Sequence, residues 1–159
     1  MGEYRATIEW RRDGADFLGK RYSRGHRWSF DGGITLPASS SPHVVPEPLS
    51  VAAAIDPEEA FVASLSSCHM LSFLYVAAKR GIAVDAYRDE AFGTLAKNAA
   101  GRIVVTRVTL RPRVTFAAGV QVGEADHAAM HHEAHDECFI AGSVLTEVRC
   151  EPEVEGPAA

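Results

Sequence analysis

The chain has 159 residues, 47% of them hydrophobic and 23% charged, with 16 Lys+Arg against 21 Asp+Glu for a formal net charge of -5. That length suits one domain, 1–159, with a core of its own and no need of disulfide staples, and the acidic balance gives no drive toward a phosphate backbone, so no nucleic-acid partner is expected. Apolar runs are broken by Ser66, Ser67 and His69 before they approach the roughly 20 residues that span a bilayer, and the opening MGEYRATIEW mixes charges where a signal peptide is apolar; a cytoplasmic protein without a membrane partner is expected.

In chain order, residues 4–11 and 20–31 are rich in aromatic and β-branched side chains and read as two strands of a meander, separated by RDGADFLG. Residues 37–48 hold four prolines and predict an irregular loop, because proline has no amide to give to a helix or a central strand. Asp56-Pro57-Glu58-Glu59 is a helix start: an acidic cap, a proline at the first position, and carboxylates at the positive end of the dipole. The helix is predicted over 57–80 with Gly81 as its stop, and it carries charge only at its ends. A helix apolar on nearly every side must be covered on nearly every side, by sheet or by a second subunit. Residues 102–117 alternate apolar and polar and predict one long strand, paired with 87–98 across the turn at Ala99-Ala100-Gly101. A second helix over 124–137 and a last strand over 144–151 complete an α+β fold with a largely antiparallel sheet.

Three cysteines in a reducing compartment point to core packing, redox chemistry or metal rather than a scaffold. Cys68 sits mid-helix, too far from the N-terminus for the dipole to make it a thiolate, so an activating cation must come from elsewhere. Cys138 follows the second helix, and nothing in the spacing alone says that it meets Cys68. Cys150 shares a strand face with Val148 and reads as core. His127, His131 and His135 recur at i, i+4, i+8 and form one helical stripe, read as a solvated face. His127 and His135 lie about 12 Å apart along the axis, so at most His131, His135 and Cys138 could share a zinc ion. His69 projects about 100° around the helix from Cys68 and reads as structural.

Asp56-Pro57-Glu58-Glu59 followed by the small-residue run to Ser66-Ser67-Cys68 resembles the first motif of the OsmC/Ohr family, osmotically inducible protein C and organic hydroperoxide resistance protein. Ala134-His135-Asp136-Glu137-Cys138 resembles that family's second cysteine motif. The resemblance implies an OsmC-like fold, a mostly antiparallel sheet around a long central helix, assembled as an intertwined homodimer with composite sites. It implies thiol peroxidase chemistry with no cofactor and no metal: Cys68 reduces an organic hydroperoxide, Cys138 resolves the sulfenic acid as a disulfide, and an external dithiol, of which a lipoyl-type donor is one candidate, recycles it. It further implies an arginine that holds the thiolate and a glutamate that orients the arginine. Glu58 stands at the glutamate position, and Arg24-Gly25 resembles the OsmC arginine pattern, whereas Arg12-Asp13-Gly14 resembles the local motif of the Ohr branch; Arg24 is preferred. Glu58 and Cys68 are about 15 Å apart on one helix, so a shared site needs two copies. Phe139, where the family commonly has proline, and the 37–48 loop mark a divergent branch. A different class of reading keeps the fold as a binding module for a hydrophobic ligand or as a redox sensor without turnover.

Overall fold

The computed structural model describes residues 2–153, which divide after Ala60 into two compact units. In the first, β1 (Ala6–Glu9), β2 (His26–Phe30) and β3 (Thr35–Ala38) form an antiparallel meander in that order. The second predicted strand is shorter than expected, because residues ahead of His26 are drawn into an aromatic cluster instead. The Tyr22 ring lies 4.9 Å from that of Phe17 and 5.3 Å from that of Trp10, whose indole donates to the Ser23 carbonyl at 2.8 Å. The proline-rich loop also begins later than predicted. Pro37 lies within β3, and it is tolerated there because β3 is the sheet's outer strand, paired on one side with β2.

The long helix α1 (Pro57–Lys79) starts where its cap predicts. Asp56 Oδ1 accepts from the Glu59 amide at 2.8 Å, and Glu59 Oε2 accepts from the Asp56 amide at 3.2 Å, so two of the otherwise orphaned donors serve each other. Gly81 ends the helix with φ +70, and the Ile82 amide returns to the Ala77 carbonyl at 2.9 Å. By length and composition alone α1 is long and apolar enough to cross a bilayer, contrary to the expectation that no segment approaches that length. Leu65, His69, Phe73, Val76 and Ala77 recur at helical spacing and pack into the second unit. Leu71 and Tyr75 on another face are 61% and 62% exposed.

The predicted 102–117 strand is two strands, β6 (Ile103–Leu110) and β7 (Pro112–Phe116), broken at Arg111. Its partner is broken as well, into β4 (Val84–Asp89) and β5 (Phe92–Lys97). β5 pairs antiparallel with β6, and β4 with β7. The Arg111 amide, with no strand partner at the break, donates to Asp89 Oδ1 at 2.6 Å, while Ser66 on α1 donates to Oδ2 of the same carboxylate at 2.5 Å. Asn98 builds the β5–β6 turn, its side-chain oxygen accepting from Ala100 and Arg102 at 3.0 and 3.1 Å. Helix α2 (Glu124–Asp136) follows, then a short 3-10 turn over Ala141–Ser143 and strand β8 (Glu147–Cys150). β8 runs parallel to β6, the one parallel pairing among the described strands of the second unit.

Two cores fill the second unit. Phe73, Val76 and Ala77 of α1 meet Val114, Met130 and Ala134, and Leu65 meets Val108 and Leu110. Phe73 is fully buried and is the largest side chain there. Phe73→Ala is expected to cost about 3–5 kcal/mol of unfolding free energy in urea denaturation; a loss below about 1 kcal/mol would mean that the core does not close on this ring.

Candidate functional site

Cys68 lies on the fourth turn of α1, four residues after Ser64, whose hydroxyl is turned back to the Phe61 carbonyl at 2.8 Å. The Ser66 hydroxyl, two residues before Cys68, is held by Asp89. Cys138 follows the last turn of α2, where the Glu137 amide bonds back to Glu133 at 3.0 Å. The next turn wraps around its sulfur: the Ala141 amide donates to Cys138 Sγ at 3.4 Å, and the Gly142 amide donates to the Cys138 carbonyl at 3.0 Å. Both cysteines are free thiols.

The fold brings these two together. Cys138 is 2% exposed, and its thiol lies close enough to that of Cys68, which is half-buried, for the two to interact. Burial pushes the Cys138 thiol up, and the contact with Cys68 pushes it the same way. Of the two sulfurs, Cys68 is the more accessible.

Arg24 and Glu58 belong to the first unit. The Arg24 guanidinium donates to the Lys20 carbonyl at 3.1 Å and to that of Tyr22, and lies 3.9 Å over the Tyr22 ring. Arg12 sits at a tight turn whose Asp13 and Gly14 both have positive φ, its carbonyl accepting from the Ala15 amide at 3.1 Å. Glu58 is in the first turn of α1, half-buried.

The histidine stripe is not the solvated face expected of it. His131 is 3% exposed and stacks on Phe73 at 4.3 Å, and His127 meets the edge of Phe116 at 5.7 Å. His69, read as structural, is 1% exposed and joins that stripe. Its Nε2 lies 3.0 Å from His131 Nδ1 and 3.5 Å from Cys150 Sγ, and His131 Nε2 lies 3.1 Å from His127 Nε2. Desolvation lowers His69 to about 4 and His131 to about 3, so both rings are neutral at pH 7. Burial, with Asp89 and Glu151 nearby, pushes the Cys150 thiol up. The sequence signal was the i, i+4 spacing on α2; which side of the helix the stripe faced was not in it. Of the zinc set His131, His135 and Cys138, the fold keeps His131 but supplies His69 and Cys150 beside it.

Comparison with known proteins gives the fold a context. The family model described as OsmC-like protein matches residues 50–153. An OsmC-like protein of unknown function from Vibrio cholerae is 52% identical in sequence, over 96% of this chain and 100% of that one, with a TM-score of 0.93. An organic hydroperoxide resistance protein OsmC from Legionella pneumophila superposes with a TM-score of 0.71 at 15% identity, covering 98% of each chain. The organic hydroperoxide resistance protein OhrB of Bacillus subtilis does so at 0.66 and 18%, covering 97% of this chain and 98% of that one. No curated protein matches the chain.

Proposed function

The chain belongs to the OsmC-like protein family, and we propose that it works as a cysteine-based hydroperoxide reductase. The observation that carries this reading is the meeting of two free thiols from distant segments, Cys68 half-buried and Cys138 enclosed. In the proposed cycle the Cys68 thiolate attacks the terminal oxygen of a hydroperoxide, the O–O bond breaks, and the alkoxide leaves as an alcohol after taking a proton. Cys68 is then a sulfenic acid. Cys138 attacks that sulfur, its proton leaving with the hydroxide as water, and a disulfide closes. A dithiol reduces the disulfide by exchange and returns both cysteines to thiols. The balance is one hydroperoxide and one dithiol consumed for one alcohol, one water and one oxidised donor, with no cofactor.

Arg24 and Glu58 are proposed to complete the site across a homodimer. On α1, Cys68, Leu71 and Tyr75 follow one another at three- and four-residue spacing, so the two exposed apolar side chains share the face that carries the nucleophile. A second copy covering that face would bury them and bring its own charged groups toward Cys68. A guanidinium suits the task because it stays charged and can bond a carboxylate and a peroxide oxygen at once. An apolar surround, to which the 82% exposed Phe139 beside Cys138 contributes, favours organic hydroperoxides over hydrogen peroxide. The cycle suits a reducing, cytoplasmic setting in which dithiol donors recycle the enzyme.

The test is steady-state consumption of cumene hydroperoxide by the reduced chain with dihydrolipoamide present. The expected result is continuous loss of peroxide matched one for one by oxidised dithiol. Consumption that stops after one equivalent per chain, or that equals the rate of dithiol alone, would overturn the peroxidase reading and leave a redox sensor or a ligand-binding module.

A further inference from the structure

The cluster of His69, His131 and Cys150 has no part in the proposed cycle. The three residues come from three elements, α1, α2 and β8, and one donor atom from each lies within 4.8 Å of the others. Among the described residues His69 Nδ1 has no hydrogen-bond partner, so Nε2 makes the polar contacts of this buried ring. That single nitrogen faces both His131 Nδ1, at 3.0 Å, and Cys150 Sγ, at 3.5 Å. As hydrogen bonds alone, this shares one nitrogen between two partners and leaves the other orphaned.

Two of the three separations also fit ligation, and the third, between His131 and Cys150, lies within 4.8 Å. Bonds of about 2.0–2.1 Å to nitrogen and about 2.3 Å to sulfur at tetrahedral angles put two nitrogens about 3.3 Å apart and a nitrogen and a sulfur about 3.6 Å apart. The observed separations of 3.0 and 3.5 Å differ from those edges by a few tenths of an ångström. We propose that His69 Nε2, His131 Nδ1 and Cys150 Sγ form a binding site for a zinc-class divalent cation.

Two imidazoles and a thiolate suit such an ion by softness. Behind His131 stands His127, 3.1 Å from the other ring nitrogen, where a partner that orients a metal-bound histidine is needed. A cavity of about 280 Å³ lined by His131, His132, His135, Val148 and Cys150 reaches the cluster. It gives an ion a way in and puts the fourth coordination position toward a water or toward His135. Binding replaces the thiol proton of Cys150 by the cation and releases that proton to solvent through the same cavity. The site would tie α1, α2 and β8 together close behind the nucleophile's helix, independently of whether Cys68 turns over peroxide.

The test uses cobalt(II) as a spectroscopic stand-in, in a Cys68→Ser/Cys138→Ser background where Cys150 is the only thiol. Expected are one cobalt per chain, tetrahedral visible bands, a thiolate-to-cobalt charge-transfer band, and displacement by zinc. Adding Cys150→Ser should remove the charge-transfer band, and His127→Ala should weaken affinity by about 10- to 100-fold. Since buried variants can fail to fold, the unaltered protein gives a second measurement: peptide mapping should show Cys150 alkylated about tenfold more slowly with one equivalent of zinc than with chelator. Cobalt binding without a thiolate band, a band that survives Cys150→Ser, no stoichiometric binding, or zinc-independent alkylation of Cys150 each overturns the proposal.

Discussion

Cys68→Ser is expected to reduce hydroperoxide turnover to the rate of the dithiol alone, a loss of about three orders of magnitude or more. A serine hydroxyl at this position is close in size but stays protonated at neutral pH, so the attacking anion disappears while the helix is unchanged. Cys138→Ser should behave differently. The proposed resolving thiol is gone, but the Ala141 amide that now donates to Cys138 Sγ at 3.4 Å can donate to a hydroxyl oxygen instead. The first half-reaction then survives: one equivalent of peroxide is reduced rapidly, and intact-mass spectrometry finds one added oxygen on Cys68 in place of the disulfide. Further turnover depends on direct attack by the external thiol and slows accordingly. The pair of variants distinguishes roles that a single knockout cannot. Full turnover in Cys68→Ser would falsify the mechanism, and an oxygen adduct found on Cys150 instead would move the nucleophile to another thiol.

How far the sequence disclosed this arrangement depends on the range of the interactions involved. The cap at Asp56, the stop at Gly81 and the turn at Asn98 rest on contacts within four residues or so, and each falls where the sequence puts it. The break at Arg111 is invisible to periodicity. Val108, Leu110, Pro112 and Val114 are buried at every second position straight through it, so the apolar pattern continues while the pairing changes. The break is set by Asp89, more than twenty residues away, capturing the Arg111 amide. Pro37 within β3 shows the reverse case, a local rule that holds for central strands and relaxes at an edge. In the site, the motif around Cys68 and that around Cys138 were each legible, but their meeting is a long-range fact of the fold. The histidine stripe is legible as a stripe but not in its direction, because imidazole is as much at home on a wet face as in a polar core. What turns it inward is His69, 62 residues from His131 and 81 from Cys150.

That inward turn makes the metal-free protein sensitive to mild acid. An unfolded chain holds histidine near its ordinary value of about 6.5, whereas burial lowers His69 to about 4 and His131 to about 3 in the fold. Between these limits the unfolded state binds protons that the folded state refuses, so stability falls as pH falls. Full stability from these rings is present above about pH 6.5, and the loss runs through the window from 6.5 down to about 4 for His69 and about 3 for His131. Each pH unit inside the window costs about 1.4 kcal/mol per ring, or about 2–4 kcal/mol for the two together by pH 5. That is a large share of the 5–15 kcal/mol that holds a typical domain together. His127, whose value burial also lowers, acts in the same direction. The ion-paired carboxylates Glu90, Glu133 and Glu147 are held below the usual carboxylate range and titrate beneath the upper part of the window. Urea unfolding with chelator present, at pH 7.5, 6.5, 5.5 and 4.5, should give a midpoint that is flat at the top and declines steeply below 6.5. His131→Phe, which keeps a ring against Phe73, should remove about half of the slope. A midpoint that holds steady from pH 7.5 to 5.5 would mean that the rings are protonated or solvated in the native state, contradicting their burial behind α1.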